Sequence, residues 1–119
     1  MAGLVVRRGD VYWVALDPVV GSEIAKTRPA VIISNDIGNE YSDRVIVAPI
    51  TTGHTDRIYP FEVLVREGDA GLSRTSKIVL DQIRTLDKRR LGDKLGALPP
   101  GVMVEVDRAI LRSLGIRLG

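Results

Sequence analysis

The sequence predicts a mainly β protein with a C-terminal α-helix, folded as a small, partly open barrel. Several short apolar segments rich in β-branched residues follow one another at close spacing, separated by Gly, Pro, Asn and Asp. One amphipathic segment comes last. Strands first and a helix last argue against a parallel βαβ fold and favour a small antiparallel sheet closed by that helix.

The first half of the chain contains four segments that we predict to be strands. Gly9-Asp10 and Asp17-Pro18 are turn signals on either side of the first apolar run. The predicted strands are Val11–Leu16, Ala30–Ser34, Arg44–Ile50 and Phe61–Val65. Pro49 marks the end of the third strand or a sheet edge. The polar segments 35–43 and 51–60 between them are predicted to be loops.

The second half contains one or two more strands and the helix. Residues 76–86 predict strand structure that bends near Asp81-Gln82. Residues 87–99 are ambiguous, and we interpret them as a short helical turn followed by an edge strand. Pro99 and Pro100 suit a helix start. After them four apolar residues recur at every fourth position, which predicts an amphipathic helix packed on the sheet: Val102, Val106, Ile110 and Leu114.

The composition sets limits on the function. A chain of 119 residues fits one domain, residues 1–119, and 4% aromatic residues predict an aliphatic core. The absence of cysteine excludes disulfides, thiolate metal ligands and thiol nucleophiles. A single histidine, His54, excludes a zinc site with several histidines and a two-histidine ribonuclease mechanism within one chain. We therefore expect neither a metal nor another cofactor.

Charge and hydropathy are compatible with a nucleic-acid partner. The net charge of +2 and the isoelectric point near 9.2 are mildly basic, which permits RNA binding without requiring it. The N-terminus does not resemble a signal peptide, and no apolar stretch approaches the roughly 20 residues that span a bilayer. We expect a cytoplasmic protein that contacts no membrane.

Candidate functional residues cluster where predicted strands begin or end. The chain has no G-x-x-x-x-G-K, G-x-S-x-G or H-E-x-x-H motif. Its polar strand-end residues are Ser22, Glu23, Arg28, Thr51, Thr52, Asp81 and Gln82. Loops held by a rigid sheet are where binding and catalytic groups tend to lie.

Each of these residues also has a purely structural interpretation. In that interpretation Arg28 is the ion-pair partner of Glu23, and the Thr51 hydroxyl is a partner for a nearby amide. Asp81 would cap a bulge, and His54 would be a solvated loop residue. Composition and spacing alone predict no more than a small, basic, β-rich binding module.

The order of the motifs adds a family resemblance. The segment RGDVYWVALDPVVGSEIAKTRPAVIISND resembles the opening of the MazF/PemK toxins, the ribonuclease half of toxin–antitoxin pairs. The matching residues, in order, are Gly9, Asp10, Asp17, Pro18, Gly21, Ser22, Glu23, Arg28 and Pro29. VIVAPITT, YPFEV and LDQIRTLDKRRL resemble later blocks of the same family, so the resemblance extends from Arg8 to the C-terminal helix.

The resemblance implies a fold, an activity and partners. The fold would be an SH3-like small barrel of the CcdB/PemK-like plasmid-maintenance type, in a homodimer. The activity would be metal-independent, sequence-specific cleavage of single-stranded RNA, whether messenger, ribosomal or transfer RNA, which inhibits translation and growth. The partner would be a cognate antitoxin with an acidic, disordered tail.

The resemblance also assigns roles to residues. It implies that Arg28 and Thr51 are the catalytic pair, and Glu23 is our candidate base. Cleavage would leave a 2′,3′-cyclic phosphate and a 5′-hydroxyl. The candidate RNA-binding residues are Ser22, Lys26, Thr52, His54, Arg57, Tyr59, Asp81 and Gln82. Val79 departs from the family, because some members have a catalytic arginine there.

Two other functions remain open at this point. One is a non-enzymatic toxin on the same barrel, like the plasmid toxin CcdB, which acts on DNA gyrase. The other is an RNA- or protein-binding barrel without catalysis. Fold does not decide between them, whereas the Gly-Ser-Glu, Arg-Pro and Ile-Thr-Thr blocks favour the ribonuclease.

Overall fold

The structure, a computed structural model, describes residues 5–118 and contains seven strands and two helices within that range. The strands are β1 (Asp10–Ala15), β2 (Thr27–Ile32), β3 (Arg44–Thr51), β4 (Glu62–Val65), β5 (Ser76–Val79), β6 (Arg84–Asp87) and β7 (Leu91–Ala97). The helices are α1 (Asp36–Tyr41) and α2 (Pro100–Leu114). The predicted domain, residues 1–119, includes residues 1–4 and 119, which lie outside the described residues.

The strands form one antiparallel sheet in the order β4-β5-β3-β2-β1-β7, with β6 added to β3. Strand β3 is the branch point, because one of its edges has two partners. Its first half pairs with β6, from Arg44–Asp87 to Val47–Arg84, and its end pairs with β5 through Ile50 and Thr51. The sheet bends there and stays open, so the prediction of a partly open, mainly β barrel with a C-terminal helix is confirmed.

Both faces of the sheet are covered. The period of two along β2 sends Val31 to one core and Ala30 and Ile32 to the other. The first core lies between the sheet and α2, where Val106 and Ala109 are fully buried. The second contains Tyr12, the only aromatic side chain that is buried among residues 5–118. The prediction of an aliphatic core is confirmed.

Strand β2 begins three residues earlier than predicted. Its pairing with β1 continues through Val14–Arg28 to Ala15–Thr27, so Arg28 lies within a strand instead of in the preceding loop. Residues on a strand paired on one side are held more firmly than residues on a loop. The extended strand therefore fixes the backbone of the principal candidate residue.

One local prediction is wrong, and another is met only approximately. Residues 35–43 are not a loop throughout, because α1 occupies Asp36–Tyr41: the Asn35 side chain accepts a hydrogen bond from the Gly38 amide at 2.7 Å and caps the helix. Pro49 does not end β3, which continues to Thr51. Pro49 pairs with Ala30 at the last rung between β2 and β3, where the missing amide proton of proline costs little.

The remaining elements agree with the sequence. The 76–86 segment contains β5 and β6 with a 3₁₀ turn over Leu80–Gln82, and a further turn at Lys88–Arg90 leads into β7 at the sheet edge. Helix α2 begins with Pro100 and ends at Leu114, and Gly115, with a φ of 69°, caps its C-terminus. Its predicted apolar stripe weakens at the end, because Leu114 is exposed. Neither helix within residues 5–118 has the length and apolar character needed to cross a membrane.

Candidate active site

Arg28 is near the start of β2 and Thr51 is the last residue of β3, close to the fork of the sheet. The last rung between β2 and β3 is Ala30–Pro49. If the same register is extended by two residues, Arg28 is opposite Thr51, although the two residues are not paired. There β3 has left β2 and pairs with β5, where Thr51 faces Lys77. The strands diverge at this point and open a gap between them.

A cavity of about 250 Å³ lies beside Arg28, and Thr51 is not among the residues that line it. Arg28 and Thr52 line it together with Trp13, Ser73, Arg74 and Ser76. The Arg28 Nε donates to the Ala25 carbonyl at 3.2 Å, and among residues 5–118 no carboxylate forms an ion pair with Arg28. Two arginines and four hydroxyl side chains, Thr27 among them, surround one cavity and form a site suited to an oxyanion.

The expected alternative for Arg28, an ion pair with Glu23, is wrong. The Glu23 Oε1 accepts a hydrogen bond from the Val20 amide at 2.6 Å and so closes its own loop. The structural alternative for Thr51 is confirmed, because its Oγ1 accepts from the Gly53 amide at 3.1 Å. A hydroxyl that accepts one bond still has a proton to donate. Thr51 can therefore hold its turn and a ligand oxygen at once.

Four candidates meet in a second cavity, of about 380 Å³: Ser22, Glu23, Asp81 and Gln82. The Gln82 Oε1 accepts from the Ile24 amide at 2.8 Å and ties the β1–β2 loop to the 3₁₀ turn after β5. Asp81 is exposed in that turn, where it caps no bulge. Glu23 thus lines a different cavity from Arg28.

Three candidates meet in a third cavity, of about 440 Å³, which His54, Arg57 and Tyr59 line with Asp56 and Lys77. The Arg57 guanidinium donates to the Tyr59 hydroxyl at 3.4 Å, and this bond raises the pKa of Arg57 above its ordinary value. Lys26 lies apart from all three cavities. Its amide donates to the Asp17 carboxylate at 3.1 Å, and its φ of 68° belongs to the tight β1–β2 loop.

The cavity residues that the sequence did not single out include Trp13, Ser73, Arg74, Ser76 and Lys77. Trp13 gave a signal, because it is the only tryptophan and lies between buried strand positions, yet its side chain is 40% exposed. Ser73 and Arg74 lie in a segment that reads only as a turn. Lys77 is the second residue of β5, at a position that is buried in the structure. Nothing in the sequence pairs it with Glu62.

No cluster of three or more His, Asp or Glu side chains suited to a metal ion occurs in residues 5–118. The fold and the cavities instead define a class: a small, basic, mainly β protein whose strand ends present arginines, hydroxyls and aromatic rings to an anionic ligand. Nucleic acid is the ligand that combines phosphates with bases that stack on aromatic rings.

Comparison with known proteins identifies the family. The model of the PemK-like, MazF-like toxins of type II toxin–antitoxin systems matches residues 7–114. The endoribonuclease MazF of Staphylococcus epidermidis is 50% identical over 111 residues, 93% of this chain and 92% of that protein. The chain therefore belongs to the PemK/MazF toxin family, and the identity over nearly all of both chains makes it an endoribonuclease.

Solved structures agree. A mycobacterial endoribonuclease in complex with its cognate antitoxin matches with a TM-score of 0.80 and 29% identity, over 96% of this chain and 99% of that one. The MazF of Deinococcus radiodurans matches with a TM-score of 0.81 and 29% identity, over 95% and 99%. The expected toxin fold is confirmed.

Proposed function

We propose that this protein is a sequence-specific, metal-independent endoribonuclease toxin that cleaves single-stranded RNA to 2′,3′-cyclic phosphate and 5′-hydroxyl ends. The observation that carries this proposal is Arg28, a strand-held guanidinium that faces a cavity and has no carboxylate partner among the described residues. Such a cation is available to an RNA phosphate at no cost in broken ion pairs.

The reaction needs no group that the chain lacks. The 2′-oxygen attacks the adjacent phosphorus, its proton passes to a base, and the bond from phosphorus to the 5′-oxygen breaks as that oxygen takes a proton. Negative charge builds on the phosphoryl oxygens in between. Arg28 stabilises that charge with its planar donor fork, a contribution on the order of 3 kcal/mol for one such donor group. A guanidinium keeps its proton in proteins, so Arg28 acts as a charge stabiliser and not as a proton donor.

Thr51 and Thr52 complete the phosphate site in this proposal. Thr51 is level with Arg28 and retains a hydroxyl proton, which it donates to a phosphoryl oxygen. Thr52 lines the Arg28 cavity directly. Side chains on strands are held in a more precise geometry than side chains on loops. Arg28 and Thr51 both lie on strands.

Glu23 is the proposed base. Its carboxylate is exposed and lies in the second cavity, so in this proposal the RNA backbone crosses both cavities. The β1–β2 loop that carries Glu23 is tied down by Gln82. The variant Glu23→Gln tests the role: we expect a large loss of cleavage, and an unchanged rate would remove Glu23 from the mechanism.

The remaining candidates recognise RNA. Tyr59 stacks on Phe61 with ring centroids 5.7 Å apart, and Arg57 lies beside it, so the third cavity offers an aromatic ring and a cation to an unpaired base. We assign the phosphate and base contacts around the cavities to Ser22, Thr52, His54, Arg57, Tyr59, Asp81 and Gln82. Lys26, which lies outside the cavities, would contact the RNA backbone beyond them. The target RNAs are messenger RNA and, if the sequence occurs there, ribosomal or transfer RNA.

The biological setting follows from the same proposal. A cytoplasmic homodimer would cut RNA, stop translation and arrest growth. A cognate antitoxin would neutralise it with an acidic tail that folds over the basic cavities and excludes RNA by charge and shape. The mycobacterial relative solved with its antitoxin supports such a partner.

The test uses purified protein, EDTA and a long single-stranded RNA, with the product ends identified chemically. We expect discrete fragments with 5′-hydroxyl ends and a shared sequence at the cut. Intact RNA in the presence of folded protein would overturn the proposal. It would leave a gyrase-directed toxin, tested by DNA supercoiling, or a binding module, tested by RNA retention.

A further inference from the structure

A buried ion pair lies beside the proposed base-recognition cavity. The Lys77 Nζ is 3.0 Å from the Glu62 Oε1, and only 7% of each side chain is exposed. The other ion pairs of residues 5–118 each have at least one side chain more than a third exposed. Lys77 is on β5 and Glu62 begins β4, so the pair links adjacent strands.

Both members of the pair also hold the backbone of the preceding loop. The Lys77 Nζ donates to the Arg57 carbonyl at 3.1 Å, and the Glu62 Oε1 accepts from the Tyr59 amide at 3.0 Å. The ammonium lies 5.9 Å from the centroid of the Tyr59 ring. From the other side, Arg112 of α2 donates to the Pro60 carbonyl at 3.3 Å.

These bonds determine where two exposed side chains point. Arg57 and Tyr59 are both on the segment 57–60, whose backbone these bonds hold, and their side chains line the third cavity. The Tyr59 ring is further held by its stack on Phe61, with 7° between the planes. A loop clamped in this way keeps its binding groups in place before the ligand arrives, which lowers the ordering cost of binding.

The register connects the clamp to the proposed chemistry. Lys77 faces Thr51 across β3 and β5. The loop that Lys77 holds therefore begins at the strand end that carries the proposed catalytic threonine. A base held in the third cavity would fix the position of the neighbouring phosphate relative to Thr51.

We propose that Glu62 and Lys77 are positioning residues for sequence specificity: they hold the segment Arg57–Tyr59 so that the third cavity accepts one particular RNA base. This inference rests on the proposed ribonuclease function and adds the device that sets one position of its recognition sequence. Neither side chain takes part in the chemical step.

The test compares cleavage of an RNA pool with a randomised segment by wild-type protein and by the double variant Glu62→Gln/Lys77→Met. The double variant keeps a carbonyl to accept the Tyr59 amide and removes both buried charges. It loses the contacts of the Lys77 ammonium with the Arg57 carbonyl, the Glu62 carboxylate and the Tyr59 ring. Lys94→Met is the matched control, because Lys94 pairs with Asp10 on other strands and lines none of the three cavities.

We expect the double variant to lose about tenfold in discrimination at one base position, with KM for the preferred sequence rising more than kcat falls. The single variant Lys77→Met should lose the same discrimination. Lys94→Met should keep the wild-type cleavage profile.

A double variant that is folded by circular dichroism and keeps the wild-type profile would overturn this inference alone. A loss confined to kcat at every sequence would also overturn it, since that result would indicate a structural or catalytic role. Wild-type protein that cuts no RNA would overturn the proposed function as well, which separates the two failures.

Discussion

Arg28 and Lys77 are two basic side chains at the same end of β3, and their environments differ. Arg28 faces a cavity and donates only to the Ala25 carbonyl, with no carboxylate partner among the described residues. Lys77 is buried, and its charge is neutralised by Glu62. An anion can therefore bind at Arg28 directly, whereas at Lys77 it would compete with a carboxylate already in place.

The comparison shows that a cation's partners, more than its charge, decide its role. Removing one member of a buried pair leaves an unpaired charge in a medium of low dielectric constant, which is strongly destabilising. Removing an unpaired, partly exposed cation leaves nothing unpaired. Substitutions at Lys77 should therefore lower folding stability as well as RNA discrimination, whereas substitutions at Arg28 should act mainly on function.

The largest effect is expected for Arg28→Ala. Loss of the guanidinium should lower the single-turnover cleavage rate at least about 100-fold, to below detection in an ordinary assay, while the unfolding midpoint and the oligomeric state stay close to wild type. Arg28→Lys is the matched control and should retain part of the rate, because it keeps the charge without the planar fork. An Arg28→Ala protein that cleaves at nearly the wild-type rate would refute the assignment.

A comparable loss is expected for Thr51→Ala, which removes the hydroxyl level with Arg28. The same substitution frees the Gly53 amide, so part of the effect belongs to the turn. Thr51→Ser keeps the hydroxyl and should restore most of the cleavage rate. If Ser and Ala at this position are equally inactive, the hydroxyl is not the functional group.

On the other side of the comparison, Lys77→Met should destabilise the protein by about 3–5 kcal/mol, because Glu62 loses its partner while buried. Replacing both residues, as in Glu62→Gln/Lys77→Met, should recover most of that loss. Urea unfolding measures both values. A single variant as stable as wild type would show that the pair contributes nothing to folding.

A smaller effect is expected for His54→Ala. His54 is exposed in the β3–β4 loop, where its φ is 54°, and it lines the third cavity instead of the cavity at Arg28. The kcat of cleavage should stay near that of wild type, and an effect of the substitution should appear only in KM. A loss as large as that of Arg28→Ala would make the single histidine an acid–base group.

The smallest effect concerns an exposed carboxylate. The backbone amide of Arg8 and the Asn39 side chain hold the pKa of Asp36 below its ordinary value of 3.8. Its stabilising contribution is therefore present above that value and is lost as the pH falls below it, through the lowered pKa of the folded state. Urea midpoints between pH 7 and pH 2.5 should fall less for Asp36→Asn than for wild type. Identical pH profiles would contradict this role.

Periodicity predicted most of the fold. The strands and α2 bury apolar residues at regular spacing, and this spacing is visible in the chain itself. Helix α1 was missed because its stability depends on two local polar contacts, the Asn35 cap and the buried Asn39 side chain bonded to Ser34. Polar contacts of this kind have no periodicity.

The candidate site was predictable only in part. The sequence pointed to Arg28 and Thr51. Their position opposite each other follows from the β2–β3 register, which the sequence alone does not specify. The separation of Glu23 from the Arg28 cavity depends on how the β1–β2 loop turns. The pairing of Lys77 with Glu62 depends on which strands are neighbours, so it required the structure.

The most direct test of the account asks whether Arg28 itself holds the phosphate. Protein labelled with ¹⁵N-arginine is titrated with the recognised RNA, and the Nε–H resonance of Arg28 is followed by NMR. The RNA carries a 2′-deoxy residue at the cleavage site and therefore cannot react. We predict that the Arg28 signal shifts with RNA concentration and that the signal of Arg8, held by Asp107 and the Ile33 carbonyl, does not. Saturated RNA binding with an unmoved Arg28 signal would contradict the central claim.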